Sequence, residues 1–500
     1  MNKIMPIILI IFLLSAIPVH AEETKADRLW QDETIYSIMV DRFNNADIKN
    51  DLDVNTNDPN QYNGGDFQGI IDKLDYLKDM GFTAIRLSPI FDNAAGGYHG
   101  YWVTDYYKVD EHFGTMKEFQ TLVKEAHKRK IRVIIDFVAN NTAKSHPWVN
   151  DPEKGDWYHD QLEQVDWADQ EQAENGWVDG LPDLNQDNPE VSQYLIDAAK
   201  WWIQKTDIDG YSLPEVDRVP TDFWKQFASA VKNEKKDFFL LGIPSLGSNV
   251  RLEQYQSAGL DSLFNYSQSE KLRQVFAATG RSLTSIPEQQ LLEANFFDNE
   301  YTARFTRDIV DERQFPGSRW KTALTYLYTT PGIPVVYYGT EIALTGGEIP
   351  DNRRLMSFRA EKELIDYITQ IGEVRAQQPS LTRGTFTMLY DKDGMVVYKR
   401  EYKGETTVVA INNTRKSQNV TLTSEQLERN KELRGLLSDN VVRSQNGQYT
   451  LIIDRDNSEV FMLADKTGLN LPYITVTIIA VLLILLFLFL IIKRGKKNIG

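Results

Sequence analysis

Short runs of β-branched or aromatic residues alternate with longer amphipathic stretches from about residue 34 to residue 378. Each short run is typical of a buried strand, and helical spacing follows, as in Phe67, Ile70 and Leu74. Eight such units in about 350 residues predict a closed parallel (β/α)8 barrel, with an open doubly wound sheet as the alternative. The predicted strands are residues 35–40, 84–87, 133–138, 210–213, 238–241, 262–265, 295–297 and 335–338.

The spacing of these units breaks once, and the pattern changes near residue 380. After the third strand, a stretch rich in Asp, Asn, Gly and Trp is too long for an ordinary βα loop, which predicts an inserted lobe over 141–188. Short alternating strands then predict an antiparallel β-sandwich over 381–464. The barrel is accordingly expected to comprise residues 22–140 and 189–380.

The two ends of the chain have a composition of their own. Residues 1–21 combine an early cation, an apolar run and a small-residue site, the pattern of a signal peptide. Residues 471–492 carry no charge and are long enough for a transmembrane helix. The basic tail, 493–500, is expected to stay in the cytoplasm. The sequence therefore predicts a single-pass cell-membrane protein with an extracellular N-terminal ectodomain.

Charge and cysteine content exclude several classes of protein. The chain has 55 basic and 71 acidic residues, a formal charge of −16, which argues against a nucleic-acid partner. It has no cysteine, which excludes disulfides, zinc fingers, iron–sulfur clusters and thiol catalysis. Together with the predicted anchor, this composition fits a Gram-positive bacterial surface.

Polar motifs follow the predicted strands, at the end of a barrel where chemistry takes place. They read Tyr-His-Gly-Tyr-Trp (98–102), Asp-Phe-Val-Ala-Asn-Asn (136–141), Asp-Gly-Tyr-Ser-Leu-Pro (209–214), Leu-Gly-Ile-Pro (241–244) and Asp-Asn-Glu-Tyr (298–301). Their order and spacing resemble the α-amylase family (glycoside hydrolase family 13), particularly its neopullulanase and maltogenic-amylase-like members. The resemblance implies an inserted lobe, a C-terminal sandwich and action on α-glucosidic bonds.

Family members cleave these bonds with a carboxylate nucleophile, a carboxylic acid and a third carboxylate. The resemblance assigns these positions to Pro214, Ile243 and Tyr301, and it assigns a conserved arginine position to Ser212. None of the first three side chains is a carboxylate, so no catalytic residue is predicted. The sequence therefore predicts a membrane-anchored pseudoenzyme that binds a carbohydrate or a cell-surface protein.

The alternative function is an active, membrane-tethered α-glucan hydrolase with a non-standard catalytic set. Glu215 and Asp217 follow the lost nucleophile, and Glu300 precedes Tyr301. Adjacent side chains of an extended strand point to opposite faces, which argues against Glu215 replacing residue 214. A tyrosine nucleophile with a nearby glutamate is known in sialidases, so Tyr301 with Glu300 also belongs to this alternative.

The resemblance also implies residues that bind sugar. The alternative interpretation of the aromatic ones is that they pack the barrel mouth. The implied substrate-binding residues are Tyr98, His99, Tyr101, Trp102 and Asp136.

Calcium is the expected cofactor, in a structural role. The resemblance implies one site formed by Asn140, Asp183 and the carbonyl of Arg218, and a second site in the first loop. Oxygen ligands at short irregular spacing suit Ca²⁺, whereas the alternative for the loop is an Asx-rich turn without metal. The residues of that second site are Asn45, Asp47, Asn50, Asp51, Gly64 and Asp66.

Overall fold

A computed structural model of the chain describes residues 28–248, 250–283, 290–466 and 471–497, the last segment with side chains for 475–490 only. The predicted signal peptide, residues 1–21, lies outside the described residues.

Eight parallel strands form one sheet in the described residues, which confirms the predicted (β/α)8 barrel. The sheet order is β8-β7-β6-β5-β2-β1-β10-β9, and a parallel bridge from Phe264 to Ala294 joins its two edges. Each strand lies on or within two residues of a predicted run. The barrel strands are β1 (Ile35–Ile38), β2 (Ala84–Leu87), β5 (Arg132–Asp136), β6 (Gly210–Pro214), β7 (Phe239–Ile243), β8 (Ser262–Leu263), β9 (Ala294–Asn295) and β10 (Ile333–Tyr337).

Alternation along the strands separates the barrel interior from the layer under the helices. Ile35, Ala84 and Ile134 belong to an apolar cluster inside the barrel, whereas Tyr36 and Ile85 pack in the larger cluster with the helices. Because side chains alternate with a period of two, residues 37, 86 and 136 also face inward, one step nearer the carboxyl ends of the strands. The interior is therefore apolar below and polar at the mouth.

Helices cover the barrel, and local signals set where they begin. The fourth helix starts at Thr115, whose hydroxyl accepts from Glu118 N while Glu118 accepts from Thr115 N, a capping box. Its buried residues, Phe119, Leu122, Val123 and Ala126, have the spacing of one helical face. The helices are α1 (Val40–Phe43), α2 (Phe67–Ile71), α3 (Leu74–Asp79), α4 (Met116–Lys128), α5 (Gln170–Glu174), α6 (Pro189–Thr206), α7 (Thr221–Glu234), α8 (Leu252–Gln256), α9 (Tyr266–Phe276), α10 (Phe305–Asp311), α11 (Pro316–Thr329), α12 (Glu363–Gln377), α13 (Pro379–Arg383) and α14 (Leu471–Lys497).

Two segments inserted between barrel elements border the barrel mouth. The first is a hairpin after β2, formed by β3 (Phe91–Asn93) and β4 (Val103–Val109), whose tip carries residues 98–102. The second is the stretch between β5 and α6, which contains α5 and short 3-10 helices and is tied to the barrel side by an Asn141–Asp183 bridge. The boundaries of the lobe, 141–188, stay a prediction.

Antiparallel sheets follow the barrel, as predicted. The larger sheet has the order β11-β12-β13-β18-β15-β16, and β14 pairs with β17. Strand β14 alternates buried and exposed residues, the pattern of a half-buried strand. The strands are β11 (Thr385–Lys392), β12 (Met395–Tyr402), β13 (Glu405–Asn412), β14 (Gln418–Thr423), β15 (Lys431–Gly435), β16 (Val441–Arg443), β17 (Gln448–Ile453) and β18 (Asn457–Asp465).

The predicted membrane helix requires a correction. The chain is helical in α14, but within the part of it that the structure describes, no helix combines the length and the apolar character needed to cross a membrane. The prediction of a transmembrane helix over 471–492 is therefore not supported.

Candidate active site

Apolar side chains occupy the ends of β6 and β7. Pro214 and Ile243 are register partners across these neighbouring strands, and both are buried. Ile243 packs in the interior apolar cluster with Phe264 and Phe296. These two positions can supply neither a proton nor a carboxylate lone pair to a sugar.

Tyr301 lies in the loop after β9 and is half-buried. Its backbone N–H donates to Asn299 Oδ1 at 3.0 Å, and its ring centroid lies 5.7 Å from that of Tyr101. Burial raises the pKa of Tyr301 well above its usual range, so its phenol stays protonated at neutral pH.

A buried arginine joins two carboxylates at the centre of the mouth. Arg86 Nε and Nη2 donate to the two oxygens of Asp136 at 2.8 and 2.6 Å. Its Nη2 and Nη1 also donate to Glu300 Oε1 and Oε2 at 2.6 and 3.2 Å. We name Arg86, Asp136 and Glu300 the arginine-centred cluster. Because one Nη2 atom contacts both carboxylates, the nearest oxygens of the pair are no more than about 5 Å apart.

Strand register explains why these residues meet. Ser37 pairs with Arg86 across β1 and β2, and Ser212 pairs with Asp136 across β5 and β6. The Ser212 hydroxyl donates to Asp136, and the Ser37 hydroxyl accepts from Arg86 Nη1 at 2.9 Å. Position 212 is the one that the family pattern gives to arginine. In this chain the positive charge beside Asp136 therefore comes from Arg86 on β2, which flanks β5 on the side opposite β6.

The two carboxyl groups of the cluster differ in acidity. Burial raises the pKa of Asp136 to about 6 and outweighs the pull of Arg86. Burial also acts to raise the pKa of Glu300, but the charge and hydrogen bonds of Arg86 outweigh it and lower that pKa below its ordinary value. One group therefore holds a proton at mildly acidic pH while the other is ionised.

The hairpin tip brings an aromatic hydroxyl onto the pair. Tyr101 Oη lies 3.0 Å from Asp136 Oδ2 and 3.3 Å from Glu300 Oε1, so its single O–H hydrogen is shared between the two carboxyl groups. Tyr101 and Trp102 are half-buried at the mouth. Gly100 makes this tip possible, because it has φ +87° and a Cβ there would lie 2.2 Å from Pro89 O.

Tyr98 and His99 are buried behind this tip. The Arg42 guanidinium lies 4.0 Å from the Tyr98 ring centroid, and His99 Nδ1 accepts from Tyr101 N at 3.0 Å. Burial lowers the pKa of His99 to about 3, so its ring is a neutral acceptor. Among the predicted sugar-binding residues, these two pack the mouth, and Tyr101 and Trp102 are the ones that reach it.

A second polar cluster lies where the inserted stretch meets the barrel. Asn140 Nδ2 lies 3.2 Å from Glu215 Oε2, and Asp183 Oδ2 lies 2.7 Å from His159 Nδ1. Asn140 Oδ1 and Asp183 Oδ1 are buried and have no hydrogen-bond partner. We name Asn140, Asp183 and Glu215 the seam cluster. Two orphaned oxygens beside a further carboxylate fit a hard cation such as Ca²⁺.

The loop after β1 fits a metal less well. Asp66 caps α2 through Gly69 N at 2.5 Å and accepts from Ala46 N and Asp47 N at 2.9 and 2.8 Å. Both of its oxygens are thus in use, as expected for an Asx-rich turn.

The other predicted residues of this loop also contact one another. Asn45 Nδ2 donates to Asp51 Oδ1 at 2.8 Å, and a Cβ on Gly64 would lie 2.3 Å from Asn45 Nδ2. Only Asn50 Oδ1 is buried without a partner among them. Over the whole described part of the chain, no group of three or more His, Asp or Glu residues is arranged to hold a metal.

Sequence reasoning missed Arg86. A signal was present, because an arginine inside a short buried parallel strand requires a partner for its charge. Glu300 was considered only beside Tyr301, whereas the barrel pairs it with Arg86 and Asp136.

A parallel (β/α)8 barrel with polar side chains at the carboxyl ends of its strands is the architecture that many barrel enzymes share. The α-amylase catalytic-domain family matches residues 37–434, and the chain belongs to that family. This confirms the resemblance.

Known proteins are similar to it over most of its length. The crystal structure of an Anoxybacillus alpha-amylase superposes with a TM-score of 0.86 at 56% identity, over 88% of this chain and 100% of the other. An alpha-amylase from Geobacillus thermoleovorans, complexed with acarbose, gives 0.84 at 54% over the same shares.

Curated relatives are more distant. The intracellular maltogenic amylase of Bacillus subtilis is 30% identical over 87% of this chain and 78% of its own length. The beta/alpha-amylase of Paenibacillus polymyxa is 35% identical over 86% of this chain, which spans only 38% of that protein.

These findings overturn the prediction of a membrane-anchored pseudoenzyme. The similar proteins are named as amylases, and no described helix is suited to span a membrane. The predicted single-pass localisation at the cell surface is likewise contradicted, since the Bacillus subtilis relative is named as intracellular. The prediction considered Glu215, Asp217 and Glu300 as substitutes, but it did not consider that Glu300 meets Asp136 through Arg86 in the folded barrel.

Proposed function

We propose that this chain hydrolyses α-glucosidic bonds in α-glucans with a non-standard catalytic pair, Asp136 and Glu300. The observation that carries the proposal is the arginine-centred cluster: two carboxyl groups at the barrel mouth whose nearest oxygens lie no more than about 5 Å apart. Glycosidases that act with retention of configuration hold their two carboxyl groups about 5 Å apart, and this limit is compatible with that arrangement. The activities in the names of its relatives support the same class of substrate.

The difference in acidity suggests the role of each group. Asp136, with a pKa of about 6, would give its proton to the departing glycosidic oxygen. The ionised Glu300 would attack the anomeric carbon as that C–O bond breaks, forming a glycosyl ester. Water would then give a proton to Asp136 and cleave the ester, which restores both groups.

Access to the pair depends on Tyr101. Asp136 and Glu300 are buried, and the Tyr101 hydroxyl covers both. A sugar therefore reaches them only when the Tyr101 side chain moves aside. Its hydrogen bonds to two carboxylates must then be replaced by hydroxyl groups of the sugar, which favours a polyhydroxylated ligand over an apolar one.

Calcium belongs to the proposal as a structural cofactor. Asn140, Asp183 and the carbonyl of Arg218 would hold it between the barrel and the lobe over 141–188. The bound cation would neutralise carboxylates there and fix the lobe that flanks the mouth.

The test is turnover by the purified chain. Reducing ends released from starch, pullulan and cyclodextrin, and the leaving group released from an activated α-maltoside, are measured for the unmodified chain, Asp136→Asn and Glu300→Gln. We expect losses of about 10²–10⁴-fold in both variants on starch. The activated substrate needs no proton, so it should rescue Asp136→Asn but not Glu300→Gln.

Glu33→Gln is the matched control. Glu33 is also a buried, arginine-paired carboxylate, but it lies before β1, at the opposite end of the barrel. Turnover per folded molecule should be unchanged in this variant. Lack of turnover by the unmodified chain on all four substrates would refute the proposal, as would full activity in Glu300→Gln.

A further inference from the structure

We propose that Glu215 is an anionic ligand of a calcium ion in the seam cluster, in addition to Asn140 and Asp183. Glu215 directly follows Pro214 at the end of β6 and has φ +53°, in the left-handed region that non-glycine residues rarely adopt. This conformation turns its carboxylate back toward β5, where Oε2 lies 3.2 Å from Asn140 Nδ2. The strained backbone of Glu215 thus lies where its side chain meets the seam cluster.

Two buried oxygens point to a ligand that the chain itself does not supply. Asn140 and Asp183 are each 1% exposed, and the Oδ1 atom of each has no hydrogen-bond partner. A buried acceptor without a donor is costly, and a cation removes that cost for both atoms together. Backbone contacts fix their positions, because Leu184 N donates to Asn140 O at 2.8 Å.

The charge around Glu215 is unbalanced. Asp183, Asp217 and Asp179 act on it with the same sign, and Arg218 is the opposing cation. The Arg218 guanidinium is directed elsewhere: its Nε donates to Ser245 Oγ at 2.9 Å, and its carbon lies 4.3 Å from the Trp167 ring centroid. The carboxylates that act on Glu215 therefore outnumber the cations that do, and two oxygen atoms of the seam cluster are left without a donor.

The donor set selects the class of cation. Two carboxylates, one amide oxygen and the nearby Arg218 carbonyl are hard oxygen donors, which Ca²⁺ accepts at irregular geometry. Among the described residues, no group of three His, Asp or Glu is arranged to hold a metal. The seam cluster is compatible with this finding, because one of its three side chains is an amide. A second carboxylate would raise affinity for a divalent cation.

Terbium luminescence and calcium calorimetry test this proposal on the full chain. Tyr158, which bridges Leu184, and Trp167, which contacts Arg218, are the aromatic side chains expected to sensitise bound Tb³⁺. We expect saturable Tb³⁺ emission that calcium displaces, and a calcium Kd weakened roughly tenfold or more in Glu215→Gln. Asp179→Asn is the matched control, because it removes the same charge from an exposed side chain and should change Kd by less than about threefold.

Three outcomes would overturn the proposal: calcium affinity of Glu215→Gln equal to that of the unmodified chain, an equal loss in Asp179→Asn, or no calcium-displaceable emission from the unmodified chain. Circular dichroism checks that each variant is folded. If Glu215→Gln does not fold, Glu215→Asp keeps the charge on a shorter side chain and should still weaken Kd. Unchanged Kd in that variant would count against ligation.

Discussion

The arginine-centred cluster and the seam cluster lie at the same barrel mouth but neutralise their carboxylates differently. Asp136 and Glu300 share one guanidinium that reaches them from β2. Asp183 and Glu215 share no guanidinium, and one oxygen of Asp183 and the amide oxygen of Asn140 are buried without a partner. Buried carboxylates require a counter-charge, so the first cluster carries its own, whereas the second requires one from solution.

Folding alone therefore balances the charge of the arginine-centred cluster, whereas the charge balance of the seam cluster depends on the ions in solution. Removing Arg86 should damage the first cluster irrespective of ions, whereas a chelator should affect the second alone. Four predictions follow that comparison from the largest expected effect to the smallest.

Arg86→Met should lower the free energy of unfolding by about 3–5 kcal/mol, because it leaves two buried carboxylates without their counter-charge. Urea denaturation measures the change. Arg129→Met is the matched control, since Arg129 pairs with the exposed Asp75 and should cost no more than about 1 kcal/mol. If both variants lose the same small free energy of unfolding, the ion pairs of the arginine-centred cluster do not stabilise the fold.

Removal of calcium should lower stability through the seam cluster. At a free concentration of one hundred times Kd, bound calcium stabilises by about 2.7 kcal/mol, which corresponds to several degrees in melting temperature. A chelator should remove this increment from the unmodified chain and from Arg86→Met alike. A melting temperature that does not respond to the chelator would contradict a bound cation in the seam.

Turnover should fall as pH rises above about 6. The pKa of Asp136 is raised to about 6, so the proposed acid loses its proton above that pH. The protonated fraction then drops by about tenfold per pH unit. An activated α-maltoside, which needs no proton, should show a weaker decline. If starch and the activated substrate share one alkaline limb, Asp136 is not the acid.

Asp66→Ala should cost about 1 kcal/mol, the usual value of an N-cap. Since Asp66 already accepts three backbone N–H groups, the loss should be the same with calcium and with chelator. A loss seen only with calcium would instead indicate a metal in the first loop.

Local patterns determined most of the fold. The eight barrel strands and the alternating strands of the C-terminal sheets depend on neighbours in the sequence, and both were predicted. The family motifs at the strand ends were also visible, because each is continuous. The membrane helix and the pseudoenzyme function, both inferred from such local evidence, were wrong.

Tertiary structure alone decided which charges meet. Arg86 is 50 residues from Asp136 and 214 residues from Glu300, and neither separation indicates contact. Closure of the barrel and the order of β1, β2, β5 and β6 bring the inward-facing Ser37, Arg86, Asp136 and Ser212 within hydrogen-bond distance of one another. The sequence determined that these residues are strand residues; the partner of each buried charge was decided by strand order and register, because an ion pair depends on distance in space.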